Sequence, residues 1–379
     1  MKRLSPRMLG MLVVALCAYG VVLFCAPTLA QDNDEPDPAR RAIAALQSGD
    51  TAGAAQAFRE AIERNPKDIG AHVGLAQALL RAGKHDEAIA SHRRAIELNP
   101  LSSDLRIGFA ATLEAGGKPA DAIGELRRAV ALSPGSPRAL TAMAGALRRA
   151  QHLREAEDVC LRALGLAPDA VPVHLEMAEI AAELGDWSTA LGHYEAAVRL
   201  QPENRIARLA HLNALNNAGK HTEAERLAIA MLAVIPDDLD VRMVLASAYE
   251  GLVKRDMAVA EYRKVLEKAP DMAIAWGNLG WSQYGAGLLA EAEASSRRAL
   301  SLDAGLAYVR FNLGLILAEA GRWEEAATEY TAALKGADLA DLRAGLSDVE
   351  TALGRKPGDE NLMKAKRLLN DALVKAPGK

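Results

Sequence analysis

The sequence predicts an all-α fold of stacked antiparallel helix pairs, and three observations predict it. Half of the residues are apolar, 25% are charged and only 4% are aromatic, and no stretch rich in Val, Ile, Thr and aromatics reads as a strand. Prolines recur at one constant interval, at Pro66, Pro100, Pro134, Pro168, Pro202, Pro236 and Pro270. The same interval catches alanine at Ala54, Ala88, Ala122, Ala156, Ala190, Ala224, Ala258, Ala292 and Ala326. One residue type at so many fixed points marks an internal repeat, in which each unit buries its apolar face on its neighbours.

Ahead of the repeat, Lys2, Arg3 and Arg7 form a basic start, and Met8 to Ala26 is one long, uncharged apolar run. Small Thr28 and Ala30 precede Gln31 at a position suited to cleavage. Residues 1–30 therefore read as a secretory signal peptide and residues 31–37 as an acidic, proline-bearing linker. The length of the apolar run makes an uncleaved membrane anchor the competing reading. The expected location is exported and periplasmic, with an inner-membrane anchored form facing the periplasm, or a secreted form, as alternatives. After residue 30 only Cys160 remains, which leaves no intrachain disulfide. The net charge is −4 and no basic stripe is present, which argues against a nucleic-acid partner.

Within residues 69–102, Val73, Leu75, Ala76, Leu79 and Leu80 make one helical stripe, and Ala88, Ile89, Ala95, Ile96 and Leu98 make a second. Gly83 between them supplies a left-handed helix stop, and Pro100 ends the second helix. Glycine holds the stop position at Gly49, Gly83, Gly117, Gly185, Gly219, Gly287 and Gly321, and is replaced at Gln151 and Val253. Gly251 sits two residues ahead of Val253, so that turn is expected to be distorted. Gly280, together with Ala42, Ala76, Ala110, Ala144, Ala178, Ala246 and Gly314, falls where the two helices of a unit are expected to cross closely, opposite the repeated alanine of the second helix.

The units resemble tetratricopeptide repeats, whose pattern is W-x2-L-G-x2-Y followed by Gly, Ala, an aromatic, Ala and Pro. Residues 273–306 offer Trp276, Leu279, Gly280, Gly287, Ala292 and Ala299 at those offsets, with Gln283 in place of Tyr. Residues 307–340 offer Leu313, Gly314, Gly321, Ala326, Tyr330 and Ala333. Nine tandem units are read over residues 35–340, and residues 341–379 form a degenerate tenth pair that caps the array. The resemblance implies a right-handed superhelical solenoid of antiparallel helix pairs, as in an exported bacterial member of this family. It also implies that the first helix of each unit lines a concave groove, and that the protein is a non-catalytic interaction scaffold.

By that offset Asn278, Trp281 and Tyr284 point into the groove from one unit, Tyr308, Phe311 and Asn312 from the next, and Asn213, Asn216 and Asn217 from the sixth. Aromatic faces with side-chain amides suit an extended peptide, which needs apolar anchors and partners for its backbone. Gly277 and Gly285 on the same helix would let a ligand backbone approach closely. Glu176, Glu179 and Glu183 beside Arg148 and Arg149 read as a mixed charged surface.

No catalytic set emerges. The histidines lack metal-ligand spacing, and there is no phosphate-binding glycine loop, Ser/His/Asp set or CxxC pair. His92 and Cys160 read as packing residues. The sequence therefore predicts no enzyme, no cofactor and no metal. It predicts a scaffold of the bacterial cell envelope that holds an extended segment of a protein partner, most strongly at residues 273–319. The alternative is a scaffold component of an exopolysaccharide export or envelope assembly machinery that contacts glycan. The bacterial assignment rests on the signal, the alanine richness, the excess of arginine over lysine and the lack of an Asn-x-Ser/Thr acceptor.

Overall fold

The computed structural model describes residues 37–375. The expected signal peptide, and the linker up to residue 36, lie outside the described residues. Every regular element among the described residues is an α-helix, twenty in all, and the all-α repeat fold is the one expected. The described chain divides into two compact units, residues 37–208 and residues 209–375.

The first unit holds α1 (Pro38–Ser48), α2 (Thr51–Arg64), α3 (Ile69–Arg81), α4 (His85–Leu98), α5 (Ser103–Ala115), α6 (Pro119–Leu132), α7 (Pro137–Arg149), α8 (Leu153–Leu166), α9 (Val171–Glu183) and α10 (Trp187–Leu200). Each odd-numbered helix packs on the even-numbered one that follows it. The boundary falls inside α11 (Arg205–Asn217). The second unit continues with α12 (His221–Val234), α13 (Leu239–Gly251), α14 (Arg255–Lys268), α15 (Ala273–Gly285), α16 (Leu289–Leu302), α17 (Ala307–Glu319), α18 (Trp323–Ala333), α19 (Leu339–Arg355) and α20 (Glu360–Lys375). The last two helices are longer than the rest, pair with each other, and both pack on α17.

Local chemistry sets the helix ends. Asp50, Asp68 and Asp238 accept a hydrogen bond from the backbone N–H three residues on, and Ser102 and Ser136 do the same. At the far end the chain turns through a left-handed residue. The Gly83 N–H donates to Leu80 O at 3.0 Å and the Lys84 N–H to Leu79 O at 2.8 Å, the paired bonds of a Schellman stop.

Gln151 and Val253 take the same left-handed conformation, with φ 64° and 61°. The Val253 N–H donates to Glu250 O at 2.9 Å and the Lys254 N–H to Tyr249 O at 2.8 Å, so the expected distortion of that turn is absent. The repeat geometry dictates the turn, and the valine backbone absorbs the strain.

The small-residue positions are where close helix crossing requires them. All nine alanines of the repeated second-helix position are 0% exposed. A Cβ added at Gly280 would lie 2.7 Å from Ser296 Oγ and 3.1 Å from Ala292 O.

A further regularity explains why most units lack the tryptophan of the repeat pattern. At that position Trp276 Nε1 donates to Pro270 O at 2.8 Å, six residues back. Arg106 reaches Pro100 O at 2.9 Å, Arg242 reaches Pro236 O at 2.6 Å and Arg310 reaches Ala304 O at 3.2 Å. His72 and His174 meet Pro66 O and Pro168 O at 3.1 and 2.7 Å. The common requirement is a long side chain with an N–H that satisfies the carbonyl closing the previous unit. Where the residue is Arg106, Arg242 or Arg310, it also pairs with a glutamate on the second helix of its own unit: Arg106–Glu125, Arg242–Glu261 and Arg310–Glu329 lie at 2.7, 2.6 and 2.8 Å.

Candidate partner-binding face

The first helices α13, α15 and α17 place the residues singled out in the sequence. Trp281 is half-buried on α15 and stacks on Tyr284, with ring centroids 5.3 Å apart and planes at 29°. Tyr284 is only 6% exposed. Its hydroxyl donates to the Glu319 carboxylate and accepts from the Arg355 guanidinium, which also lies 5.4 Å from the ring centroid. Lys356 Nζ completes the cluster 2.8 Å from Glu319 Oε2. Burial and the adjacent Glu319 hold the tyrosine hydroxyl well above its ordinary pKa, so it stays protonated. Trp281 thus rests on a ring fixed from behind by an ionic cluster.

The remaining residues are less available than the sequence suggested. Phe311 and Asn312 are each 2% exposed, which corrects their placement in a groove. Phe311 lies 6.3 Å from the Tyr330 ring and against Gly345 of α19, where a Cβ would come within 3.0 Å of it. The stripe of α17 that would otherwise be open is covered by the C-terminal helix pair. Tyr308 is half-buried, and its hydroxyl is buried without a hydrogen-bond partner. Asn278 is half-buried and faces the buried Tyr262, whose hydroxyl burial holds well above its ordinary pKa. Asn213 Nδ2 donates to Leu209 O of its own helix at 3.0 Å, Asn216 bridges Ser247 and His221 at 2.9 Å each, and Asn217 is half-buried.

The two unexplained glycines of α15 also resolve. A Cβ at Gly277 would meet Val309 Cγ2 at 2.6 Å and Tyr308 Oη at 3.0 Å, so this glycine admits the neighbouring helix α17 and not a ligand backbone. At Gly285 the space is filled by Arg255, whose Nε would lie 2.8 Å from an added Cβ.

Glu250, at the end of α13, accepts from the Ser282 hydroxyl. Its side chain keeps some exposure, yet burial of its surroundings pushes the carboxyl up to about 7, opposed by Ser282 and by Arg255.

In the first unit the corresponding face is ionic and internally satisfied. Arg148 Nε lies 2.6 Å from Glu176 and its Nη1 2.7 Å from Glu183. Glu179 accepts from the Tyr194 hydroxyl at 2.8 Å, and burial raises its pKa. Arg149 meets Glu114 at 2.8 Å. His92 and Cys160 are buried at 3% and 0% exposure. Burial pushes the His92 imidazole down to about 4, and pushes the Cys160 thiol up to about 12 with help from Glu176. A thiol held so far above neutrality is a poor nucleophile. Among the described residues no group of three or more His, Cys, Asp or Glu side chains could hold a metal ion.

Sequence reasoning missed Glu319, Arg355 and Lys356. No local signal marks them, because Arg355 reaches Tyr284 across 71 residues.

Tetratricopeptide repeat models match residues 40–103, 175–238, 243–307 and 307–342, and a second such model matches residues 79–144. The chain belongs to the tetratricopeptide repeat family. No curated protein matches it. Among solved structures, a tetratricopeptide repeat protein from Parabacteroides merdae ATCC 43184 is 18% identical, with 69% of this chain and 99% of that one covered at a TM-score of 0.54. The human IFIT1 dimer with m7Gppp-AAAA is 19% identical, covering 79% of this chain and 71% of that one at 0.50. The APC/C hetero-tetramer Cut9–Hcn1 is 16% identical, covering 76% and 57% at 0.51. At these identities the likeness is one of fold. The tetratricopeptide repeats indicate a protein–protein interaction scaffold.

Proposed function

We propose that this tetratricopeptide protein is an exported, periplasmic scaffold of a bacterial envelope, and that it holds an extended segment of a partner protein against the first-helix face of residues 209–375. The observation that carries the proposal is Trp281. It is a large aromatic left partly exposed and stacked on a tyrosine whose ring and hydroxyl are fixed by Glu319 and Arg355. A rigid, partly exposed indole offers much contact area at little entropic cost, which is the character of an interface hot spot. Asn217, half-buried on α11, adds a side-chain amide. The export part of the reading rests on residues 1–30, and N-terminal sequencing tests it: a mature chain beginning at Gln31 is expected.

The binding part is tested with Trp281→Ala alone, because altering Tyr284 would also free Arg355 and Glu319. Partners recovered from envelope extract are mapped on peptide arrays to a contiguous segment. The variant is expected to bind that segment at least about tenfold more weakly, the loss typical of a truncated hot spot. Unchanged affinity for every recovered segment would sink the reading. Binding of oligosaccharide in place of peptide by wild type, lost in the same variant, would move the assignment to the glycan-contacting alternative. The fold does not decide the partner: the similar IFIT1 structure holds m7Gppp-AAAA.

A further inference from the structure

In three units the first helix sends an arginine to a glutamate at one fixed pair of repeat positions, the glutamate being on the second helix. In the unit built from α9 and α10 the same two positions are both histidine. His174 and His193 bring their Nδ1 atoms to 3.0 Å, with ring centroids 5.2 Å apart and planes at 39°. His174 Nε2 is anchored 2.7 Å from Pro168 O, so that nitrogen carries the hydrogen and Nδ1 presents a lone pair. Without an ion, the His193 Nδ1–H is left to donate to it. Both rings keep part of their surface in solvent.

We propose that His174 and His193 form a two-imidazole site for a late first-row divalent cation. Imidazole nitrogens sit about 2.0–2.1 Å from such a metal, so two of them on one ion stand about 2.9–3.4 Å apart for angles from square to tetrahedral. The observed separation of 3.0 Å lies at the square end, which favours Cu2+ and Ni2+ over tetrahedral Zn2+ and gives Mg2+ and Ca2+ nothing suitable. The Pro168 carbonyl is the kind of outer partner that fixes the tautomer of a metal-bound histidine. On binding, the ion takes the place of the hydrogen between the rings, His193 carries its own hydrogen on Nε2, and water completes the coordination. The repeat supplies the separation of the two helices, since the same geometry joins Arg106 to Glu125 and Arg242 to Glu261. The sequence did not show the site, because a pairing across two helices resembles no local metal-ligand pattern.

The test is titration of the full chain, purified without a histidine tag, with CuCl2, NiCl2, ZnCl2 and MgCl2, together with electron paramagnetic resonance of the copper form. About one equivalent of Cu2+ is expected, with nitrogen hyperfine structure from two imidazoles. Ni2+ and Zn2+ should bind more weakly and Mg2+ not at all. His193→Ala should weaken copper binding at least about tenfold, the loss usual for a damaged metal site. The double variant His174→Arg with His193→Glu installs the ion pair used by the other units, and so guards against misfolding as the cause. If the double variant folds and binds copper as wild type does, or wild type shows no two-nitrogen signal, the site does not exist.

Discussion

The first-helix faces of the two units are built from different chemistry. In residues 37–208 the charged groups are satisfied by one another: Arg148 by Glu176 and Glu183, Arg149 by Glu114, and Glu179 by Tyr194. In residues 209–375 an ionic cluster of similar make-up, Glu319 with Arg355 and Lys356, stands behind an aromatic pair and leaves Trp281 partly exposed. Opening the first face exposes paired charges that water would also solvate, so it offers a partner little net gain. The second presents apolar area whose ordering cost is already met. The difference favours the second face as the one where the proposed partner would gain most by binding.

The largest effect that would break this comparison comes from the arginines. Arg148 has a side chain 9% exposed, and Arg148→Ala leaves Glu176, Glu179 and Glu183 without their cation. A loss of about 3–5 kcal/mol is expected from stranding buried charge. Arg355 has a side chain 53% exposed, and Arg355→Ala should cost no more than about 1 kcal/mol. Denaturant melts of the two variants measure the contrast. Equal costs would mean that the ionic face of the first unit is as wet as its counterpart.

Acidity should separate the units with opposite sign. His92, in the first unit, has its folded pKa lowered to about 4 by burial, against an ordinary 6.5. The unfolded chain binds the extra proton, so this group's contribution is intact above about pH 6.5 and falls as pH drops toward 4, by about 3 kcal/mol in all. Glu250, in the second unit, is raised to about 7 from 4.5. The folded state then binds the extra proton, so stability is greatest below about pH 4.5 and is lost as pH rises through 7, by at most about 3 kcal/mol because the side chain keeps some exposure. Glu179 in the first unit is raised as well and opposes His92, so the comparison is made on variants. Hydrogen exchange at pH 4.5 and 7.5 should show His92→Phe flattening the pH dependence of α4 and α5, and Glu250→Gln flattening that of α13 and α15. A pH response unchanged in both variants would remove the assignment.

Much of the fold was legible because every unit solves one packing problem with the same small residue at the same place. Ala292 and Gly280 announce a close crossing wherever they stand, and Gly287 announces a stop. The identity of the residue at the tryptophan position was not legible, because Arg106, His72 and Trp276 share no property until their common target, a carbonyl six residues back, is seen. The candidate site was half legible. Trp281 is partly exposed, but its stacking on Tyr284 was not announced by the repeat offset. The covering of Phe311 and Asn312 comes from α19 and α20, which the sequence showed only as a degenerate last pair, and its pattern did not announce how closely that pair packs on α17. Gly277 carried a visible signal that was read the wrong way: it is buried, and a glycine on a first helix can admit a neighbouring helix as readily as a ligand.

The smallest predicted effect compares one turn in the two units. Gln151 and Val253 occupy the stop position that glycine holds elsewhere, and both backbones are left-handed. For a β-branched residue that conformation costs roughly 1–2 kcal/mol, and Val253, at 70% exposure, gains little from packing in return. Val253→Gly is therefore expected to stabilise the protein by about 1 kcal/mol, part of the relief being offset by the greater freedom of glycine in the unfolded chain. Gln151 carries the same conformational penalty but its Nε2 donates to Glu183 Oε2 at 3.1 Å, joining its turn to the Arg148 cluster. Gln151→Gly removes that bond as it relieves the backbone, and the two changes should nearly cancel. Paired thermal melts decide the matter: a stabilised Val253→Gly beside an unmoved Gln151→Gly shows a strained stop tolerated in one unit and compensated by the ionic face in the other, whereas equal gains would leave the Gln151–Glu183 bond with no energetic weight.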